Sequence, residues 1–290
     1  MNSRLFKISL VLILSVFSFV HYLNAQTVNI ATYNIRNDNE DDVANGNGWK
    51  QRLPYVCSLI QYHDFDIFGT QEGFHHQLED IKRILPDYDY IGVGRDDGKT
   101  EGEHSAVFYR KSKFELLQSG DFWLAETPDQ PVMGWDAACV RICTWGEFKH
   151  IESGKIFYFF NLHADHVGVE ARKESSKLVV SRMKDISKGR PVILTGDFNV
   201  TQTDESYYTY TKSGGLKDAY DQAPIKYENN GTFNNFDIEM KTNERIDHIF
   251  YTGNLIINRY GILTEIYWDV KGEARIPSDH YPVVVEAEFE

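Results

Sequence analysis

The sequence predicts a mixed α/β domain of more than one layer, and three observations predict it. Nine short runs rich in Val, Ile, Phe and Tyr read as strands, amphipathic helical patterns separate several of the early runs, and the later ones follow one another like hairpins. No Pro/Ser-rich linker, internal repeat or low-complexity tract divides the chain, so a single domain is expected over residues 26–290, long enough for a sizeable core.

Residues 1–25 are set apart as a leader. Arg4 and Lys7 form a basic start, the run from Ile8 to Val20 is almost wholly apolar, and "YLNAQ" places the small Ala25 where a peptidase would cut. The apolar stretch is short for a bilayer span, which favours a cleavable secretory signal over an anchor. No Cys follows closely, so a lipoprotein anchor is not expected. The mature chain is expected outside the cytoplasm, secreted or periplasmic, with no stable membrane anchor and as a monomer.

The strand-like runs are, in order, "VNIATYNI" (28–35), "FDIFGTQE" (65–72), "YDYIGVG" (88–94), "SAVFYR" (105–110), "ACVRICTWGEF" (138–148), "KIFYFFNLH" (155–163), "PVILTGDF" (191–198), "RIDHIFYTG" (245–253) and "YPVVVEAEFE" (281–290). Within "WKQRLPYVCSLIQYH" (49–63), Leu53, Val56, Leu59 and Ile60 share one helical face. Pro54 suits a first turn, so that helix is expected to begin near Leu53. "VEARKESSKLVVSRMKDIS" (169–187) interleaves Ala171, Leu178, Met183 and Ile186 with charge and is the stronger helix.

Three cysteines remain, Cys57, Cys139 and Cys143. If 138–148 is extended, the Cα atoms of Cys139 and Cys143 stand roughly 13 Å apart, and a disulfide needs less than about 7 Å. Cys57 is free to pair with either, and three buried thiols are the expected state. The formal charge is −13, and loss of Arg4 and Lys7 with the leader makes it −15. Tight duplex binding relies on cationic contacts with phosphates, so a dedicated nucleic-acid binder is disfavoured, although a locally basic cleft is not excluded.

The stretch "ILTGDFNV" (193–200) ends a buried strand in Asp197 and Asn199. Gly196 is expected to let the backbone turn there, leaving both side chains at the strand's carboxyl end, where helix-flanked sheets bind ligands. An Asx turn satisfying local donors is the other reading of the same residues. The pattern recurs. The first strand yields Asn34, the second Glu72, and "FYFFNLH" yields His163 with Asp165 and His166 beyond it. Asp247 interrupts the apolar "RIDHIF", and Asp279 with His280 precedes the last strand. Singly these are turn formers, a core histidine or surface carboxylates. Charged groups are rarely buried unless paired or metal-bound, so together they predict one polar centre.

"TYNI", "TQE", "NLHADH", "LTGDFN", "RIDHIF" and "PSDHYPV", in this order and spacing, resemble the endonuclease/exonuclease/phosphatase superfamily over essentially all of the mature chain. The resemblance implies a four-layered α/β sandwich of two packed mixed β-sheets flanked by helices, with the site at one rim. It implies Glu72 as the main metal ligand with Asn34 and Asp279 beside it, a set that suits Mg²⁺, with Mn²⁺ the alternative. Asp197 would activate the attacking water and Asn199 would donate to that water or to a phosphate oxygen. His280, paired with Asp247, and His163 would contact the phosphoryl group. "GEHSAVFYR" implies Glu103 as the partner of His163, the alternative being a loop carboxylate.

Substrate choice lies in loops. In "FWLAETPDQPVMGWD" (122–136), Trp135 is a candidate to stack on a sugar or base, against the reading of a loop-packing residue. Arg141 is a candidate phosphate contact or an exposed charge; Asp165 and His166 extend the site or open the loop before the 169–187 helix. The acidic balance favours a small, possibly sugar-containing phosphate mono- or diester as substrate. A nuclease would need a cationic channel, and a sphingomyelinase-like lipid phosphodiesterase an exposed apolar hairpin, for which the sequence shows no clear candidate.

Overall fold

The computed structural model describes residues 27–289, so the expected leader lies outside the described residues. In chain order the main strands begin with β1 (Thr27–Asn34), β2 (Ile67–Gln71), β3 (Tyr88–Ile91), β4 (Val107–Arg110), β5 (Phe114–Trp123), β6 (Ile142–His150) and β7 (Ile156–His163). They continue with β8 (Val192–Asp197), β9 (Lys217–Asp218), β10 (Ile225–Tyr227), β11 (Asp247–Tyr251), β12 (Leu255–Ile262) and β13 (Val283–Phe289). One sheet runs β10-β12-β13-β1-β2-β4-β3 and the other β9-β11-β8-β7-β6-β5. Both are mixed: β1 is parallel to β2 and antiparallel to β13, and β8 is parallel to β7 and antiparallel to β11.

Apolar side chains fill three spaces. Val28, Ile30, Ile67, Phe157, Ile193 and Val285 meet between the sheets. Helices α2 (Trp49–Tyr62) and α3 (His75–Ile84), preceded by the short α1 (Glu40–Ala44), cover the first sheet, Val56 and Ile81 packing on Phe68 and Phe108. Helix α4 (Val169–Ser187) covers the second sheet through Val179 and Met183 against Phe160 and Leu194. Helix, sheet, sheet, helix is the four-layered sandwich expected.

Several local expectations need correction. Helix α2 starts at Trp49, not near Leu53, with Pro54 inside it. The buried Arg52 explains the early start, donating to the carbonyls of Asn47, Ile35, Pro277 and Arg36 and so tying the first turn to the site-bearing segments. Pro54 is exposed, so the helix carbonyl it leaves without a donor lies on the solvent side. Strand β6 begins at Ile142, which leaves Cys139 and Arg141 in the loop before it. All three cysteines are free, as expected, but only Cys57 and Cys143 are buried; Cys139, in the loop, is partly exposed. Gly196 makes no turn. It is paired within β8, and a Cβ there would meet the Leu162 carbonyl oxygen at 2.3 Å. The turn falls at Asn199, which takes φ 50°.

A polar clamp fastens the sheets beneath the rim. Asn161 of β7 donates to the carbonyls of Thr70 and Ala106 and accepts from Gln71 Nε2 at 2.7 Å and Thr195 Oγ1 at 3.0 Å. Gly69 makes room for it, since a Cβ there would lie 2.1 Å from Asn161 Oδ1. Near the C-terminus a ribbon of Tyr267–Trp268 against Ala274–Arg275 holds Trp268 65 % exposed and Val270 fully exposed, an apolar projection that the sequence reading did not find.

Candidate active site

Strand ends bring the polar residues to one rim. Asn34 closes β1 and Glu72 follows β2, while His163 closes β7 and Asp197 closes β8. Asp197 stands between His163 and Asp247 in the ladder. Asp279 and His280 arrive on the segment before β13. Asn34 Nδ2 joins the two sheets, donating to Glu72 Oε1 at 3.0 Å and to Asp197 Oδ2 at 3.1 Å.

At the centre, His280 Nδ1 lies 2.9 Å from Asp247 Oδ2 and its Nε2 lies 3.7 Å from Asp197 Oδ2. His163 Nε2 approaches the same Asp197 oxygen at 3.4 Å and Asn199 Nδ2 at 3.2 Å. Burial opposes charge on the His280 ring, yet Asp247 and Asp197 raise its pKa well above the ordinary histidine value. His163 goes the other way: burial, with Arg141 and Arg95 nearby, holds it well below that value and keeps it neutral. Burial, then the Asp247 charge, pushes Asp197 up to about 7, poised near neutrality as a base requires. Burial and Glu72 lift Asp279 to about 6, against the pull of His280.

In "GDFN" an Asx turn and placement of both side chains at the strand's carboxyl end coexist. Asp197 Oδ1 accepts from the Asn199 backbone at 3.0 Å, an Asx turn, while Oδ2 faces the imidazoles. Arg36, Glu72 and Asn199 all take positive φ values (57°, 64° and 50°), a left-handed conformation that costs non-glycine residues roughly 1–3 kcal/mol each. Among the described residues, three of the eight non-glycine residues with positive φ thus sit at the rim.

Glu72, Asp197 and His280 each offer a donor atom within 4.8 Å of the others. The two carboxylates suit a hard divalent cation, while the His280 ring, held charged by Asp247, offers it no lone pair and stands beside it as a donor. Of the expected ligands, Glu72 belongs to this cluster. Asp279 reaches the same place through Arg36 NH1, which stands 3.5 Å from Asp279 and 3.8 Å from Glu72. Asn34 is present too, with its amide nitrogen facing the carboxylates and its oxygen accepting from Arg36 N. A second grouping, Cys139, Asp165 and His166, fits a cation poorly because Asp165 is saturated with donors and Arg141 lies against it.

The rim opens into a cavity of about 380 Å³ with His163, Asp197 and His280 among its lining residues. Arg36, Arg95 and Arg141 line it opposite the carboxylates of Glu72, Glu103, Asp197 and Asp279, and Phe233 and Asn235 also line it. Sequence reasoning missed Arg36, Arg95, Phe233 and Asn235. Arg36 directly follows "TYNI", but the others sit in loops with no periodic signal. Arg141, 4 % exposed, is no surface charge; it lines the cavity and holds His166 Nδ1 at 3.0 Å.

Three expected roles do not match the geometry. No hydrogen bond joins Glu103 to His163: Arg95 takes the carboxylate at 2.5 Å, Asn37 donates to it at 3.3 Å, and His163 Nδ1 has no protein partner. Trp135 does not line the cavity; its backbone is fixed by Glu126. Asp165 does not line it either. Its carboxylate accepts from the backbone of Ala138, Val167 and Gly168 and braces Arg141 at 3.4 Å.

Comparison with known proteins agrees with this geometry. The profile of the Endonuclease/Exonuclease/phosphatase family matches residues 31–280. A mannosyl-6-phosphatase of Bacteroides thetaiotaomicron superposes with a TM-score of 0.89 at 56 % identity, covering 90 % of this chain and 100 % of that one. A family protein of the same organism gives a TM-score of 0.89 at 54 % identity over 91 % of this chain and 98 % of its own. An uncharacterized protein of Acanthamoeba polyphaga mimivirus is 28 % identical over 253 residues, 82 % of this chain and 91 % of that protein. Members of this family are phosphoester hydrolases that generally use divalent metals, and no helix among the described residues is long and apolar enough to cross a membrane. The chain belongs to the endonuclease/exonuclease/phosphatase family and is a phosphoesterase of that superfamily.

Proposed function

We propose that the protein hydrolyses a small, sugar-containing phosphate ester with a Mg²⁺ or Mn²⁺ ion held by Glu72, Asp279 and their neighbours. The alignment Asp247, His280, Asp197 within an arginine-lined cavity carries this reading. Its volume, about 380 Å³, lies in the range of small-ligand sites. The mannosyl-6-phosphatase likeness supports a sugar phosphate, and the net charge of −13 weighs against a polyanionic polymer.

When bound, the cation supplies Lewis-acid stabilisation of charge on the phosphoryl oxygens. Asp197 takes the proton of the attacking water, as its elevated pKa allows. His280, held charged by Asp247, donates to a phosphoryl oxygen. Neutral His163, Asn199 and Arg141 fix the remaining oxygens, so that attack occurs in line and developing charge meets preset donors. Residues 1–25 direct the chain out of the cytoplasm and are removed after Ala25, which N-terminal sequencing of the exported protein tests.

A Mg²⁺-supplemented assay of residues 26–290 against a sugar 6-phosphate, a nitrophenyl diester, plasmid DNA and sphingomyelin tests the substrate class. The sugar monophosphate is expected to dominate. Dominant cleavage of DNA or of sphingomyelin would replace this reading.

A further inference from the structure

The catalytic cavity has one stretch of wall that the proposed chemistry leaves unused. Setting aside its acids, bases and histidines, Asn37 already donates to Glu103 at 3.3 Å, Asn199 to the Ala164 carbonyl at 3.1 Å, and Cys139 to Asp165 at 3.7 Å. Phe233 and Asn235 remain. Phe233 supplies the one phenyl ring among the described lining residues, and the exposed Asn235 side chain bonds to no described residue.

The backbone ties both residues to the catalytic segment. Phe233 pairs with His280 in an isolated antiparallel bridge, flanked by Tyr281 N donating to the Thr232 carbonyl at 2.7 Å and Asn234 N to the Asp279 carbonyl at 2.8 Å. Asn234 is fully buried; its amide donates to the Ser278 carbonyl at 3.1 Å and its oxygen accepts from Phe236 N at 2.8 Å. Asn235 and Phe236 take φ 52° and 58°, consecutive left-handed residues that a Cβ disfavours and that this bonding holds in place. The Phe233 and His280 ring centres lie 5.1 Å apart at 65°. A group esterified to a phosphoryl held by His280 therefore begins one ring away from Phe233.

A phenyl ring offers nothing to phosphate oxygens, but it covers the C–H face of a pyranose, and an amide both donates to and accepts from hydroxyls. We propose that Phe233 and Asn235 select the organic part of the substrate: Phe233 packs on the C–H face of the sugar ring and the Asn235 amide bonds one of its hydroxyls. The inference rests on reading the substrate as a sugar phosphate. Contacts of this kind are the same before and during reaction, so they act on KM and not on kcat.

Steady-state kinetics on a sugar 6-phosphate, with inorganic phosphate as competitive inhibitor, tests it in three variants. Phe233→Leu keeps apolar bulk against His280 and loses the ring; Phe233→Tyr keeps the ring; Asn235→Gly removes the amide and suits the positive φ. KM is expected to rise about threefold to tenfold in Phe233→Leu and in Asn235→Gly. Phe233→Tyr should stay within about twofold of native, as should kcat and the phosphate inhibition constant throughout. A native-like KM in either Phe233→Leu or Asn235→Gly overturns the inference and leaves the reaction standing. A fall in kcat or in phosphate affinity that parallels the rise in KM also overturns it, making the ring a prop for His280. A native protein that hydrolyses no sugar phosphate overturns the reaction and this inference with it.

Discussion

His280 Nδ1 and Asp247 Oδ2 stand 2.9 Å apart, with the opposite ring nitrogen turned to Asp197 Oδ2 at 3.7 Å. Two carboxylates from adjacent antiparallel strands therefore bracket one imidazole that comes from the other sheet's final segment. Asp247→Asn removes the negative partner and keeps the shape. Turnover should fall about 10²–10⁴-fold with melting temperature little changed. The sign of the linked titration follows: with its folded pKa raised, His280 adds stability below the ordinary histidine pKa and loses it as pH rises through the folded value. Imidazole NMR of metal-free protein at pH 7.5 should show His280 charged in the native chain and neutral in the variant; no difference would remove Asp247 from this role.

Arg141 and Trp135 separate cleanly. Arg141 is buried in the wall of the catalytic cavity, so Arg141→Ala should raise KM for a sugar phosphate about 10–100-fold, the worth of one charged hydrogen bond. Trp135→Ala should change KM less than about twofold. Steady-state kinetics on the two variants checks both, and a large Trp135 effect would return that ring to the site.

Asp165 links stability to acid. Burial favours its neutral form, but backbone donors from Gly168, Val167 and Ala138, with Arg141, bring its pKa to about 2. A depressed pKa gives stability that is full above the unfolded value, near 4, and is lost as pH falls from there toward 2. The contribution at neutral pH is about 2 kcal/mol. Urea melts should show Asp165→Asn less stable at pH 7 by about that amount, with the gap to the native chain closing by pH 2–3.

Asn161 is the inter-sheet clamp. Asn161→Ala takes one partner each from Gln71 Nε2, which keeps Thr32 Oγ1, and from the carbonyls of Thr70 and Ala106, the latter still accepting from Thr70 N. Each lost hydrogen bond is worth about 0.5–1.5 kcal/mol net, so a loss of about 2–4 kcal/mol in chemical denaturation is expected. A loss under about 1 kcal/mol would mean that water replaces the amide.

Much of this was readable before the structure. Runs such as Val192 to Leu194 and Phe157 to Phe160 are buried on both faces, so composition alone marks them as strands. Strands β5 and β12 escaped because each carries a register shift, between Leu116 and Gln118 and between Ile257 and Arg259, which breaks the two-residue period. In the site, residues at strand ends were found because a charge stops an apolar run. Arg95, Phe233 and Asn235 were not, since loop residues carry no such contrast. Glu103 was assigned the wrong partner because nothing in "GRDDGKTEGEH" reveals that Arg95 folds back onto it.

Phosphate release from a sugar 6-phosphate in ¹⁸O-water tests the central claim most directly, comparing native protein with Mg²⁺, native protein with EDTA, and Asp197→Asn with Mg²⁺. The account predicts release that carries one solvent oxygen per phosphate, is abolished by EDTA, and is about 10²–10⁴-fold slower in the variant. Release that persists undiminished in EDTA, or an Asp197→Asn variant as fast as the native chain, would contradict it.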